Sequence, residues 1–148
     1  MSEVSYKLTW SREEERRGRV WRFSAYGSPS QTEGDKHFPK GTTLVGFRDF
    51  CQSSDGVVET VYVRVRDDYR GRGIGRRLLE MVYELDPMPK VVRYKSVIHP
   101  AALRVAQDMV HKYPDVETRV LHTSVQQVVL SADEVKSRLF KQSRRPHA

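Results

Sequence analysis

Residues 57–85 constrain this chain more than any other stretch. Val57-Val58-Glu59-Thr60-Val61-Tyr62-Val63-Arg64-Val65 is rich in β-branched residues and reads as a strand. A basic loop follows, Arg66-Asp67-Asp68-Tyr69-Arg70-Gly71-Arg72-Gly73-Ile74-Gly75. Ile74, Leu78, Leu79, Val82 and Leu85 then recur at helical spacing, and Asp86-Pro87-Met88-Pro89 ends the helix. Strand, glycine loop and helix together make a phosphate holder. The glycines let backbone amides approach the anion, and the helix start adds unpaired donors and partial positive charge. A Walker loop would need Lys-Ser or Lys-Thr, which does not follow Gly75, and a dinucleotide fingerprint would need glycine where Arg76 stands. Both patterns fail.

Charge bears on the same question. The 148 residues, one domain's worth, hold 26 Lys plus Arg against 19 Asp plus Glu, a net charge of +7. Such an excess suits nucleic acid, a membrane surface or a phosphate-rich cofactor. Arg70, Arg72, Arg76 and Arg77 crowd the glycine loop, which favours the cofactor and disfavours nucleic acid. Arg138, Lys141, Arg144 and Arg145 read as a solvated tail. Cys51, the only cysteine, excludes an internal disulfide and a multi-thiolate zinc site, and His37, His99, His111 and His122 lack metal-ligand spacing. No metal is expected. With no apolar run near the ~20 residues of a membrane span and no signal segment behind Met1, no membrane partner is expected and the compartment is the cytoplasm.

Elsewhere, Tyr6–Trp10 and Val20–Tyr26 alternate as strands around the mixed-charge stretch Arg12–Arg19, predicting a hairpin. Gly27–Lys40 reads as a loop, Thr42–Phe50 as a strand and Lys90–Ile98 as another. Pro100 opens a helix whose apolar face is Ala102, Val105, Ala106, Met109 and Val110. Thr118–Leu130 holds one or two strands. Ser131 and Glu134 fit a capping box for a helix from Ala132 to about Lys141.

Arg70-Gly71-Arg72-Gly73-Ile74-Gly75 has the form Arg-x-x-Gly-x-Gly. Between Val63-Arg64-Val65 and Arg76-Arg77-Leu78-Leu79, it resembles the coenzyme-A loop of the GNAT-type N-acetyltransferases. His99-Pro100-Ala101-Ala102-Leu103 is similar to that family's Asn-Pro-x-Ala-x helix start, with His99 in place of asparagine. The likeness spans Val57 to Val110. It implies an α/β (α+β) fold with a mixed, mostly antiparallel sheet flanked by helices. Residues 11–19 are too short for the family's first two helices, so a short N-terminal hairpin is expected there. The domain would span residues 1–141, with 142–148 a flexible basic tail.

The resemblance implies acetyl-CoA or another acyl-CoA as co-substrate. Backbone contacts to it would come from Val63 and Val65, and a pyrophosphate cradle from Arg70, Gly71, Arg72, Gly73, Ile74, Gly75 and Arg76, with His99 beside the cofactor. The activity implied is acyl transfer to a primary amine, by direct attack in a ternary complex. The acceptor, a small molecule or a protein, stays open, as does a homodimer. Glu59 stands 11 residues before Arg70, where the histone-acetylating branch of the family carries its base. In a regular strand Val57, Val61 and Val63 share its face and would raise its pKa; the competing reading is an ion pair with Arg48, Arg64 or Arg93. The family's usual acid tyrosine falls on Ala106, which leaves Tyr94 and Tyr113 as substitutes. A GNAT-like acyl-CoA-binding or protein-interaction module without turnover is the alternative function, and a basic nucleic-acid binder a third.

Overall fold

The alternating residues near the N-terminus fold into a long hairpin, β1 (Ser5–Glu14) and β2 (Gly18–Tyr26), whose strands run well into the charged stretch expected to separate them. Arg12, Glu14 and Arg17 can occupy or flank strands because each finds an ionic partner across the sheet. The computed structural model describes residues 3–97, 100–121 and 127–130. Within them lie β3 (Leu44–Gln52), β4 (Val57–Val65), α1 (Ile74–Tyr83), β5 (Val91–Val97), α2 (Pro100–Lys112), β6 (Glu117–Leu121) and β7 (Gln127–Leu130). The expected C-terminal helix, the tail and His99 lie outside the described residues.

The seven strands form one sheet in sequence order. β1 to β4 are antiparallel neighbours, β4, β5 and β6 are mutually parallel, and β7 returns antiparallel to β6. The sheet is therefore mixed and mostly antiparallel, with the hairpin at its N-terminal edge. The two β-α-β crossovers step the same way along the sheet, which puts α1 and α2 side by side on one face. Arg76 pairs with Asp108 at 2.6 Å, Lys112 with Glu80, and Tyr113 with Glu84 at 2.6 Å, so the helices run parallel.

Under the helices lies the core, where Ile74, Leu78, Leu79 and Val82 of α1 and Ala106 and Met109 of α2 meet Phe23, Phe50, Val58, Val92 and Val120 of the sheet. On the opposite face, the segment between β2 and β3 lays Phe38 and His37 against Phe47 of β3, and His37 also meets Tyr62 of β4. Below this aromatic patch the face is ionic.

Candidate functional site

β4 sits beside β5 only at its start: Val57–Thr60 pair with Val91–Tyr94, and beyond that rung the two parallel strands part. From Val61 onward β4 has no pairing on that side among the described residues, and Tyr62 and Val63 are 43% and 36% exposed. Val63 and Val65, the two expected backbone contacts, lie on this freed stretch. It leads directly into the glycine loop.

The loop is held from behind. Arg66 is buried and donates to the carbonyls of Ser28, Thr42 and Leu44 at 2.7–3.1 Å while gripping Asp68 through two nitrogens. Tyr69 is buried as well, and its hydroxyl accepts from the Ser28 amide at 2.8 Å. Arg72 stacks its guanidinium 4.4 Å above the Tyr69 ring. Neither Arg66 nor Tyr69 stood out in the sequence, where each looked like one more polar loop residue.

Gly71 and Gly73 take φ of 78° and 79°, the left-handed region that side-chain-bearing residues avoid. Gly73 is the N-cap of α1. No side chain caps that terminus and no acidic residue lies in its first turn. The first amides of the helix lack intrahelical acceptors, so they point at open space with the positive end of the helix dipole behind them. A Cβ built on Gly71 or Gly73 would touch nothing within 4 Å. The arrangement fits a phosphate or pyrophosphate group, with Ile74, Gly75 and Arg76 supplying amides.

The four arginines do not all serve this spot. Arg70 hydrogen-bonds the Val65 carbonyl at 3.3 Å and pairs with Asp67 at 3.0 Å, and Arg72 stays with Tyr69. Arg76 turns its side chain to Asp108 of α2, and Arg77 reaches down its own helix to Glu84 at 2.9 Å. Crowding in sequence became dispersal in space.

Glu59 lies on the last rungs before β4 and β5 part, opposite Arg93. The irregular register between Asp49 and Phe50 leaves Val61 unpaired on β3, which flips the later residues of β4. Tyr62 and Arg64 share the face of Glu59, while Val63 turns to the helix side. Of the expected valines Val57 stays at the cleft with Glu59, and charge takes up the rest of its surroundings. Glu59 Oε1 accepts from Arg17 Nε at 2.9 Å and Oε2 from Arg93 Nε at 3.0 Å. Of the expected rival partners Arg93 is present, and Arg17 joins it from the hairpin. Arg16, Arg17, Cys51, Gln52, Ser53, Val57, Glu59 and Arg93 line a cleft of about 210 Å³ here. Cys51 is buried, and burial followed by the Glu59 charge raises its pKa.

Tyr94 and Tyr113 are far apart in role. Tyr113 donates to Glu84 beyond the C-terminal end of α1, and burial together with that carboxylate pushes its hydroxyl pKa up. Tyr94 lies on the last β4–β5 rung, on the helix face, and burial holds its pKa well above the ordinary phenol value. Among the described residues no group of His, Cys, Asp and Glu could hold a metal, and no helix is long and apolar enough to cross a membrane.

Residues 4–85, more than half of the chain, match the sequence model of the acetyltransferase (GNAT) family. The chain belongs to that family. The match takes in the hairpin, the β4 strand, the glycine loop and all of α1. No curated protein matches this GNAT chain. A solved structure described as nourseothricin acetyltransferase aligns at 13% identity over 84% of this chain and 64% of its own length, with a TM-score of 0.31.

Proposed function

We propose that the chain transfers an acetyl or other acyl group from acyl-CoA to a primary amine by direct attack in a ternary complex. The observation that carries this reading is the freed edge of β4 running into an uncapped helix start with two left-handed glycines. Val63 and Val65 would pair with the pantetheine arm, and Arg70 through Arg76 would cradle the pyrophosphate, with the Arg76 guanidinium remaining on Asp108. The thioester would then lie where β4 and β5 part, one residue beyond Glu59. The cleft holding Glu59 opens on the face opposite the helices and is the natural route for the acceptor.

In this reading Glu59 takes the amine's proton through a water, and an incoming ammonium would have to draw the carboxylate partly away from Arg17 or Arg93. Arg16, Arg17 and Arg93 at that cleft outnumber Glu59 and the Glu14 that also holds Arg17, and the excess favours an acceptor carrying its own negative charge. The pairing of Arg70, Arg76 and Arg77 with carboxylates counts against a nucleic-acid backbone as the ligand.

A thermal-stability series with acetyl-CoA, CoA and short DNA tests the reading. A ligand at 100 times its dissociation constant adds about 2.7 kcal/mol to stability. A shift with both coenzymes and none with DNA is expected; no shift with either coenzyme would sink it. Release of free thiol across a panel of amines then tests turnover. The doubly paired Glu59 and Ala106 at the usual acid position favour one second reading, an acyl-CoA-binding module without turnover. Binding without thiol release would select it.

A further inference from the structure

Arg48 of β3 faces Val63 of β4, just past the rung where β5 departs. It points to the helix side, because Gly46, Arg48 and Phe50 alternate onto one face and a Cβ at Gly46 would lie 3.1 Å from Ile74 of α1. From there the side chain runs over β4 toward β5, where Tyr94 and Tyr83 are its electrostatic neighbours. The Tyr83 hydroxyl shares a 2.7 Å hydrogen bond with Thr118 and lies 3.5 Å from that of Tyr94. Arg48 Nε is buried and makes no hydrogen bond. Among the described residues no carboxylate pairs with the guanidinium. Desolvation alone pulls the group toward neutrality, with only the two phenols opposing it. The residue as a whole is only half-buried, so its charge is partly shielded from water and an anionic partner would be favourable. No described residue supplies that partner.

We propose that Arg48 is a catalytic residue of the acyl transfer, receiving the coenzyme-A thiolate as it leaves the acyl group. The proposal rests on the acyl-CoA reading above. The amine nitrogen, approaching from the Glu59 face, bonds to the thioester carbonyl carbon. The carbon–sulfur bond then breaks, and its electron pair stays on sulfur, on the helix face beside Arg48. The amine's proton leaves through water toward Glu59, and the thiolate takes a proton from solvent. Tyr94 is a poor source for that proton: its pKa stands well above 10, against about 8.5 for an ordinary thiol. Its hydroxyl can hydrogen-bond the sulfur, but the charge must be met by the cation. The groups facing Arg48 are Tyr83 from α1, Tyr94 from β5, and the apolar Phe23 and Val63 from β2 and β4. None of these is charged near neutral pH.

Titration calorimetry of the full chain with CoA and with S-methyl-CoA, from pH 7.5 to 9.5, reads the effect directly. The two ligands share every phosphate, but only CoA has a thiol to ionise. CoA should tighten relative to S-methyl-CoA as pH rises, by about tenfold for each unit by which Arg48 lowers the bound thiol's pKa, and a nearby opposite charge lowers a pKa by roughly one to three units. Arg48→Met should abolish the difference, keep S-methyl-CoA affinity within about twofold, and lower kcat by about 100-fold. Arg48→Lys should retain part of each. Parallel pH profiles for the two ligands in the unmutated protein would overturn the thiolate role and leave the acyl-CoA reading standing. If S-methyl-CoA fails to bind at every pH, it is the acyl-CoA reading that falls.

Discussion

On one face of the sheet Asp49 lies between Arg12 and Arg22, at 2.7 Å from each, and Glu59 lies between Arg17 and Arg93. On the other face, one residue from Asp49 along β3, Arg48 has no carboxylate partner among the described residues. Both regions carry arginine into the body of the protein, but only one supplies the counterion. Asp49 is 1% exposed and its arginines reach solvent with their outer atoms, so that cluster is satisfied in the resting molecule. No described residue completes Arg48 in the same way. A closed ionic network holds a fold together, whereas an open one stores an affinity.

The largest effect should come from breaking the closed side. Asp49→Ala leaves Arg22 without its carboxylate and Arg12 with Glu14 alone, and should cost about 2 kcal/mol in a urea titration, since charged hydrogen bonds are lost while the arginines stay partly exposed. A loss under about 1 kcal/mol would place Asp49 among ordinary surface pairs. Glu59→Gln probes whether the same face also carries chemistry. It should lower kcat by about 100-fold, as losing a general base does, with a stability change below about 1 kcal/mol. Undiminished kcat would leave Glu59 a structural member of the network.

Gly73→Ala forces a left-handed conformation on a side chain and should cost about 1–2 kcal/mol, together with weaker acetyl-CoA binding as the first amides of α1 shift. Unchanged binding in that variant would remove those amides from the cradle. Arg48→Met should leave stability within about 1 kcal/mol of the unmutated protein, because a half-buried cation with no carboxylate partner among the described residues gives way to an apolar side chain of similar length. A clear loss of stability would mean that Arg48 is already compensated. The smallest effect is acid titration. Glu14 is held below the usual carboxylate range by Arg17 and then Arg12, and Asp68 by Arg66. Their contribution is complete above the unfolded value of about 4 and is lost as pH falls through the lower folded values. Melting temperature should therefore be level from pH 7 to about 5 and decline below about 4. Stability that rises on acidification would contradict the pairing.

The strand, loop and helix of residues 57–85 were legible because each rests on a local signal: β-branching, glycine spacing and a 3.6-residue apolar repeat. The hairpin was legible only at its apolar ends. Arg12 and Glu14 look like turn chemistry in one dimension and become sheet residues, while Arg17 stays in the turn and ties it to the sheet through a partner 42 residues away. The same blindness hid the dispersal of Arg76 and Arg77, whose carboxylates sit 32 residues and one helix length distant. The surroundings of Glu59 were misjudged because an irregularity in the β3–β4 register, invisible in the β4 sequence, reverses which valines share its face. Arg48 entered the sequence reading only as a rival partner for Glu59, since its distinguishing property is the lack of a carboxylate partner among the described residues.

The space beside Gly27 carries one more consequence. A single added methyl there would sit 2.6 Å from the Tyr69 hydroxyl, displacing a ring on which Arg72 rests and whose backbone belongs to the loop leading to Gly71. Position 27 is therefore a remote tuning screw. Its size sets the posture of the glycine loop more than 40 residues downstream, so in the acyl-CoA reading variation there would alter cofactor retention without touching any residue proposed to contact the cofactor.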